Sequence, residues 1–516
     1  MREELLEKEV LVMYDIREIQ NFIFRTNKVK DIVGASRLVD GILEKGLTEC
    51  RKALGFAGEE MEILMIGGGN AVAIFQKGEL AKKMNRMLGR WILEQTYSLQ
   101  LAIAVVEKTD HYMKDYRRLQ EEKTKVKARM PKVHMMGALP IMKRENQTGL
   151  PLSETITVNG KKIPVSKEVC LKRKALENDL QKEQEKQIQF DSLVDEKGRD
   201  SMLALVHIDG NSMGQKIGQL MEGIDDYQVA KEQMKQISHN INQSFQEAYD
   251  FMKQQLLIWA EQTEGESKGR IYLRKIIGAG DDVTFVCQGR LALSLVLAYV
   301  KGLEGKVLYE ENGIREEEKY GFSVCVGIAY MNSHFPFSEA YKVAEECCHN
   351  AKKRAKEEQH KVDGKIGNWV DFQICKSIHT TDFEKDRKKQ YQLADGTYLL
   401  KRPYYIPFDR PELKRYAEMD QINQADSFAL FREIMYGFEN GKNGLAQSDL
   451  KELRNTYSKG KEAMDTLKTF LESRGKSFPM ECFDRNGIAN WYDELEMLEW
   501  YEDILMRKED TGCSTK

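Results

Sequence analysis

Residues 202–214 read MLALVHIDGNSMG, and residues 271–287 read IYLRKIIGAGDDVTFVC. The first stretch is an apolar run that ends in an acid, the pattern of a buried strand reaching an edge at Asp209. The second is strand, glycine turn, strand: a β-hairpin whose tip carries Gly278-Ala279-Gly280-Asp281-Asp282. Between them, 226–261 has apolar residues at helical spacing. A helix (291–303), a strand (321–329), a helix (336–356) and a last strand (369–374) follow. The order is β-α-β-β-α-β, which predicts an α+β sheet with helices on one face.

The same order occurs earlier. KEVLVMYD (8–15) is an apolar run ending at Asp15, and ILMIGGGNAVAIF (63–75) is strand, glycine turn, strand. A helix (79–94) and a strand (99–106) complete that unit. Two diverged copies of one module are therefore expected, as domains over 1–107 and 201–375. Between them, 108–200 is a charged connecting domain, within which 172–189 reads as a solvated helix. Residues 376–516 read as a helical domain, apart from a loop around 401–407. Stretches 428–438 and 491–506 have the i, i+3, i+4 spacing of bundle helices.

Composition excludes more than it identifies. A length of 516 residues implies three or four domains, and 41% hydrophobic with 31% charged residues is ordinary for a folded protein. A net charge of −3 gives no general argument for nucleic-acid binding, so any basic surface must be local. No run of eighteen apolar residues is present and Met1-Arg2-Glu3-Glu4 is too acidic for a signal peptide, so a cytoplasmic protein without a membrane partner is expected. The nine cysteines include no C-x-x-C pair, so no zinc is expected. His207 on an apolar strand reads as a satisfied core residue, and Cys347-Cys348-His349 as helix packing.

In the second module the central first strand brings Asp209 beside the hairpin acids Asp281 and Asp282. Three clustered carboxylates are unfavourable unless a cation neutralises them, and an all-oxygen set suits Mg²⁺ or Mn²⁺. Such ions activate an attacking hydroxyl and stabilise a pyrophosphate leaving group. Gly210, Asn211, Ser212, Met213 and Gly214 form a small-residue loop whose amides could cradle a triphosphate. Gly278 and Gly280 allow a tight turn and leave room for a base or sugar. Lys352 or Lys356, at the end of the helix, could reach phosphates. Taken singly, Gly280-Asp281 is a common turn, Asp209-Gly210 suits a strand end, and the lysines suit a solvated helix face. Their order on the right elements raises the odds.

V-H-I-D-G-N-S-M-G (206–214), followed by I-G-A-G-D-D-V-T-F-V (277–286), resembles the palm domain shared by GGDEF-type cyclases and the large subunit of type III CRISPR effector complexes. D-I-R-E-I-Q-N-F-I-F (15–24), then G-A-S-R-L-V (34–39), and G-G-G-N-A (67–71) resemble the first palm of the CRISPR subunit. Leu400-Lys401-Arg402-Pro403-Tyr404 is similar to the entry to that family's C-terminal helical domain.

The resemblance implies two ferredoxin-like palms plus a helical domain, with ATP converted to a cyclic oligoadenylate-type messenger in antiviral defence. Asp209 and Asp282 would be metal ligands, Asp281 the acid beside them, Ile208 a carbonyl donor and Lys352 a phosphate-binding lysine. In the first palm, Asp15 and Gly67, Gly68, Gly69 and Asn70 would bind nucleotide or scaffold without catalysis. Guide or target RNA and small helical subunits are the implied partners. With the first palm starting at once, the family's HD nuclease domain is not expected ahead of it, nor is cleavage of single-stranded DNA. The 141–152 segment, which resembles a region that carries a zinc site in relatives, holds no cysteine. Two further readings are an RNA-binding scaffold that binds nucleotide with little turnover, and a diguanylate-cyclase-like enzyme.

Overall fold

The computed structural model describes residues 3–67, 69–130, 139–158, 160–180, 193, 202–264, 272–311, 313–376 and 382–505. Strand β1 (Val10–Arg17) is buried on both faces. Val10, Val12 and Tyr14 enter one core, while Leu11 and Met13 enter another, as the two-residue period of a strand requires. The hairpin β2 (Met61–Gly67) and β3 (Asn70–Phe75) and the strand β4 (Gln100–Glu107) complete an antiparallel sheet of order β2-β3-β1-β4. The first module thus has the ferredoxin-like palm topology.

The connecting segment contains a small hairpin of β5 (Leu152–Val158) and β6 (Lys161–Ser166). Its helix spans Lys167–Leu180, and residues 181–189 of the expected 172–189 helix lie outside the described residues. That helix is not a solvated connector at its start. Lys172 and Glu168 are fully buried and paired at 2.8 Å, and Lys172 Nζ also donates to the carbonyl of Phe22 at 2.6 Å. Charges leave water only when paired in this way, so they dock the helix on the first palm.

The second sheet has six strands. β7 (Met202–Gly210) lies between β9 (Asp282–Gln288) and β10 (Val324–Asn332), with β8 (Leu273–Ala279) outside β9. β11 (Asn368–Ile374) runs parallel to β10. Helices cover both faces, not one. Tyr227–Glu264 and the largely apolar Ala292–Leu303 cover the first face. Phe337–Ala355 covers the other, because a parallel connection from β10 to β11 needs a helical crossover. Gly327 on β10 lets this helix approach: a Cβ there would stand 1.8 Å from the carbonyl oxygen of Ala344.

The expected loop around 401–407 contains a sixth strand, β12 (Tyr404–Ile406), antiparallel to β11. Its three residues are buried, and the edge of β11 supplies the hydrogen bonds they need. The helix expected over 491–506 is confined to Tyr492–Met497; Tyr501 and Ile504 turn back into the core beneath the second sheet. The C-terminal helices keep a core of their own around Leu450, Leu453, Tyr457 and Trp491. Buried charges join them to the sheet. Arg387 holds Asp371 through both nitrogens at 2.6 and 2.7 Å, and Arg402 holds Glu496 at 3.0 Å.

Candidate functional site

The register of β7 and β9 places Asp209 directly opposite Asp282. Directly opposed residues share a face, here the face covered by Phe337–Ala355. Asp281 sits at the turn, where its carbonyl accepts the Gly210 amide at 3.2 Å. Gly280 adopts φ +64°, a left-handed conformation that closes this turn without a Cβ penalty. Strand pairing and one glycine therefore gather the three acids.

Their charges are poorly compensated. Burial first, then the charge of Asp209, pushes Asp281 up to about 6 and Asp282 up to about 7. Asp282 Oδ1 is buried without a hydrogen-bond partner, while Oδ2 accepts from Gln20 Nε2 at 3.4 Å. Lys352, in the last turn of Phe337–Ala355, donates to Asp209. Burial works against the Lys352 charge, but Asp209 outweighs it and raises its pKa. One lysine faces three acids. An oxygen-rich cluster with an orphaned buried carboxylate oxygen fits a hard divalent cation.

Among the described residues, His207, Asp209 and Cys348 form the one group of His, Cys and acid atoms close enough to hold an ion, within 4.8 Å of one another. His207 and Cys348 are weak candidates for that role. His207 Nδ1 already meets Thr284 Oγ1 at 3.1 Å, and burial pushes the pKa of the ring down. The Cys348 thiol donates to the carbonyl of Cys325 at 3.3 Å, and burial pushes its pKa far up. The acids remain the candidate ionic ligands.

The loop after β7 differs from the expected five-amide cradle. The Gly210 and Asn211 amides are consumed, by Asp281 and by Ser323 at 2.8 Å. The reason is that β7 continues to Gly210 and the chain beyond it is tied to the neighbouring strand entry. Ser212, at φ +55°, then starts the helix Met213–Leu220, whose first-turn amides at Met213 and Gly214 have no intrahelical acceptor. Ile208 is wholly buried on the opposite face from Asp209. Lys356 is exposed at the helix C-cap. The space beside Gly278 is filled by the end of the Lys275 side chain.

The first palm repeats the geometry with different chemistry. Asp15 stands opposite Asn70, as Asp209 stands opposite Asp282, and Gly69 occupies the place of Asp281. Asp15 pairs with Lys127 at 2.5 Å. One acid and one lysine leave no excess of negative charge for a metal. Gly68 lies outside the described residues. Between the palms opens a cavity of about 940 Å³, lined by Gly67, Gly69 and Asn70 from one hairpin and Gly278 and Gly280 from the other. Asn242, Gln246 and Tyr249 of the long helix complete its polar wall, and the three acids do not line it. Sequence reading did not single out Gln20, Lys127 or the place of Cys348. Gln20 lay inside the quoted 15–24 motif, but nothing local showed its partner.

This sheet, with opposed acids at the β7–β9 end and a lysine above them, defines a palm domain. Residues 202–361 match the family model of the Cas10/Cmr2 second palm domain. The resemblance to the large subunit of type III CRISPR effector complexes therefore holds. A Csm1–Csm4 cassette in complex with cA4 is similar to this chain at 13% identity, covering 96% of this chain and 70% of its own, with a TM-score of 0.50. Csm1 of T. onnurineus is similar at 14% identity, covering 97% of this chain and 70% of its own, with a TM-score of 0.48. At such identity the likeness is one of fold. No curated protein sequence matches the chain. Among the described residues no helix is long and apolar enough to cross a membrane.

Proposed function

We propose that this chain is a metal-dependent nucleotidyltransferase that joins ATP and closes the product into a cyclic oligoadenylate-type messenger, in CRISPR-type defence. The observation that carries the reading is the strand-paired Asp209 and Asp282, with Asp281 at the turn and a buried carboxylate oxygen left without a partner. Mg²⁺ or Mn²⁺ held by these acids and the Ile208 carbonyl would lower the pKa of an attacking ribose hydroxyl and stabilise departing pyrophosphate. Lys352 holds Asp209 in the free protein and turns to the phosphates when that acid takes another cation. The first-turn amides of Met213–Leu220 would receive phosphate oxygens. The cavity between the hairpins is of a size to take nucleotide. The match of 202–361 to a Cas10/Cmr2 palm and the fold likeness to a cassette solved with cA4 support this reading.

Incubation with each nucleoside triphosphate and Mg²⁺ or Mn²⁺, with and without RNA, followed by chromatography, tests the proposal. ATP is expected to give oligoadenylate products that the double variant Asp281→Ala/Asp282→Ala does not make. Absence of product from every triphosphate overturns the enzymatic reading. The similar Csm1 in the cassette was solved with a second subunit, which favours an alternative: a scaffold that assembles with RNA and small subunits and turns over little nucleotide. Co-purification with RNA and partner proteins, together with no synthesis, would select it.

A further inference from the structure

We propose that Gln20 is a positioning residue through which the first palm fixes the orientation of Asp282 in the second, and so sets the site's grip on its metal ion. This rests on the reading of Asp282 as a metal ligand. Strand register places the Cα of Asp282 but leaves its carboxylate free to rotate. Lys352 cannot orient it, because that lysine is bonded to Asp209. Gln20 Nε2 donates to Asp282 Oδ2 at 3.4 Å, across 262 residues of chain, while Oδ1, 3.4 Å from His207 Nδ1, makes no hydrogen bond.

The surroundings hold Gln20 in place. It lies in the first turn of the helix Ile19–Phe24, entered through Glu18 at φ +58°. The turn before that helix is seated on the degenerate hairpin: the Ile16 amide donates to the Gly69 carbonyl at 3.0 Å. Gly69 lies at φ +77°, and a Cβ there would stand 2.9 Å from Ile19 Cδ1. The glycine that replaces an acid in the first palm thus makes room for the residue beside Gln20. At the other end of the helix, Phe24 stacks on Tyr341 with ring centroids 4.0 Å apart. Tyr341 belongs to Phe337–Ala355, the helix that carries Lys352. The first palm is therefore clamped to the same helix that frames the acids, and Gln20 converts that docking into a hold on Asp282.

The test is Mn²⁺ binding to the full chain by electron paramagnetic resonance, without nucleotide, for wild type, Gln20→Leu and Gln20→Asn. Leucine keeps the bulk and removes the amide; asparagine keeps the amide but is one methylene too short to reach. Both variants are expected to bind Mn²⁺ about ten-fold more weakly, the low end for loss of a residue that orients a metal ligand, because the bond is long. In synthesis assays the half-saturating Mn²⁺ concentration should rise in the same proportion, with kcat restored at saturating Mn²⁺. A purely structural loss would lower kcat and leave Mn²⁺ affinity alone. If wild type binds Mn²⁺ and both variants bind it equally well, the role of Gln20 is refuted while the site stands. A wild type that binds no Mn²⁺ overturns the site and this inference together.

Discussion

Replacing Asp282 by Asn should make the metal-free protein more stable, increasingly so as pH rises. Burial and the neighbouring Asp209 push Asp282 from 3.8 in the unfolded chain up to about 7 in the fold. A carboxyl group with a raised folded pKa supports the fold while protonated. Its contribution is fully present below the unfolded value and is lost as pH climbs through the folded one. A shift of about 3 units at ~1.4 kcal/mol each sets a ceiling of about 4 kcal/mol. The side chain is 29% exposed, and water screening brings this to about 2 kcal/mol. About two-thirds of that loss falls between pH 5 and pH 8. In thermal unfolding in EDTA, the lead of Asp282→Asn over wild type should widen across this range by about 3 °C. Asp281 is also raised, but it is present in both proteins and cancels to first order. Mn²⁺ at pH 8 should raise the wild-type midpoint and leave the variant nearly unmoved. A lead that stays flat with pH, or a variant less stable than wild type at pH 8, would refute the electrostatic reasoning.

Two further outcomes follow from the geometry. Lys352→Met should raise the KM for ATP by about ten-fold, through loss of a charge-assisted phosphate contact, with circular dichroism unchanged; an unaltered KM would exclude the lysine from phosphate binding. Gly327→Ala should destabilise the second palm by about 3 kcal/mol, because its methyl would collide with the Ala344 carbonyl and push the covering helix away, and denaturant unfolding would show it.

The difference between the legible and the hidden parts of the site follows sequence separation. Asp209 ends an apolar run and Asp281-Asp282 tips a glycine hairpin, so both announce themselves within a dozen residues. The Asp15 and Asn70 pair was readable for the same reason, as a copy of that pattern with an acid missing. By contrast, two of the five amides expected to cradle phosphate were already spent, on Asp281 and on Ser323, and Ser323 lies more than a hundred residues away. Tyr404-Tyr405-Ile406 looked like a loop because three residues between prolines carry too short a pattern; the free edge of β11 makes them a strand. The charged start of the 167–180 helix looked solvated because its partners, Phe22 and Asp31, lie far back in the first palm.

By itself the sequence determined two α+β palms, one acid-rich and one acid-poor, and which carboxylates mark the candidate centre, because strand period, glycine turns and terminal acids are local signals. Tertiary structure decided what those carboxylates meet: Lys352 on Asp209, Gln20 on Asp282 and Lys127 on Asp15. It also opened, apart from them, a cavity between hairpins of opposite palms. Burial and the approach of like charges, which shift Asp281 and Asp282, exist only once segments distant in the chain are packed together.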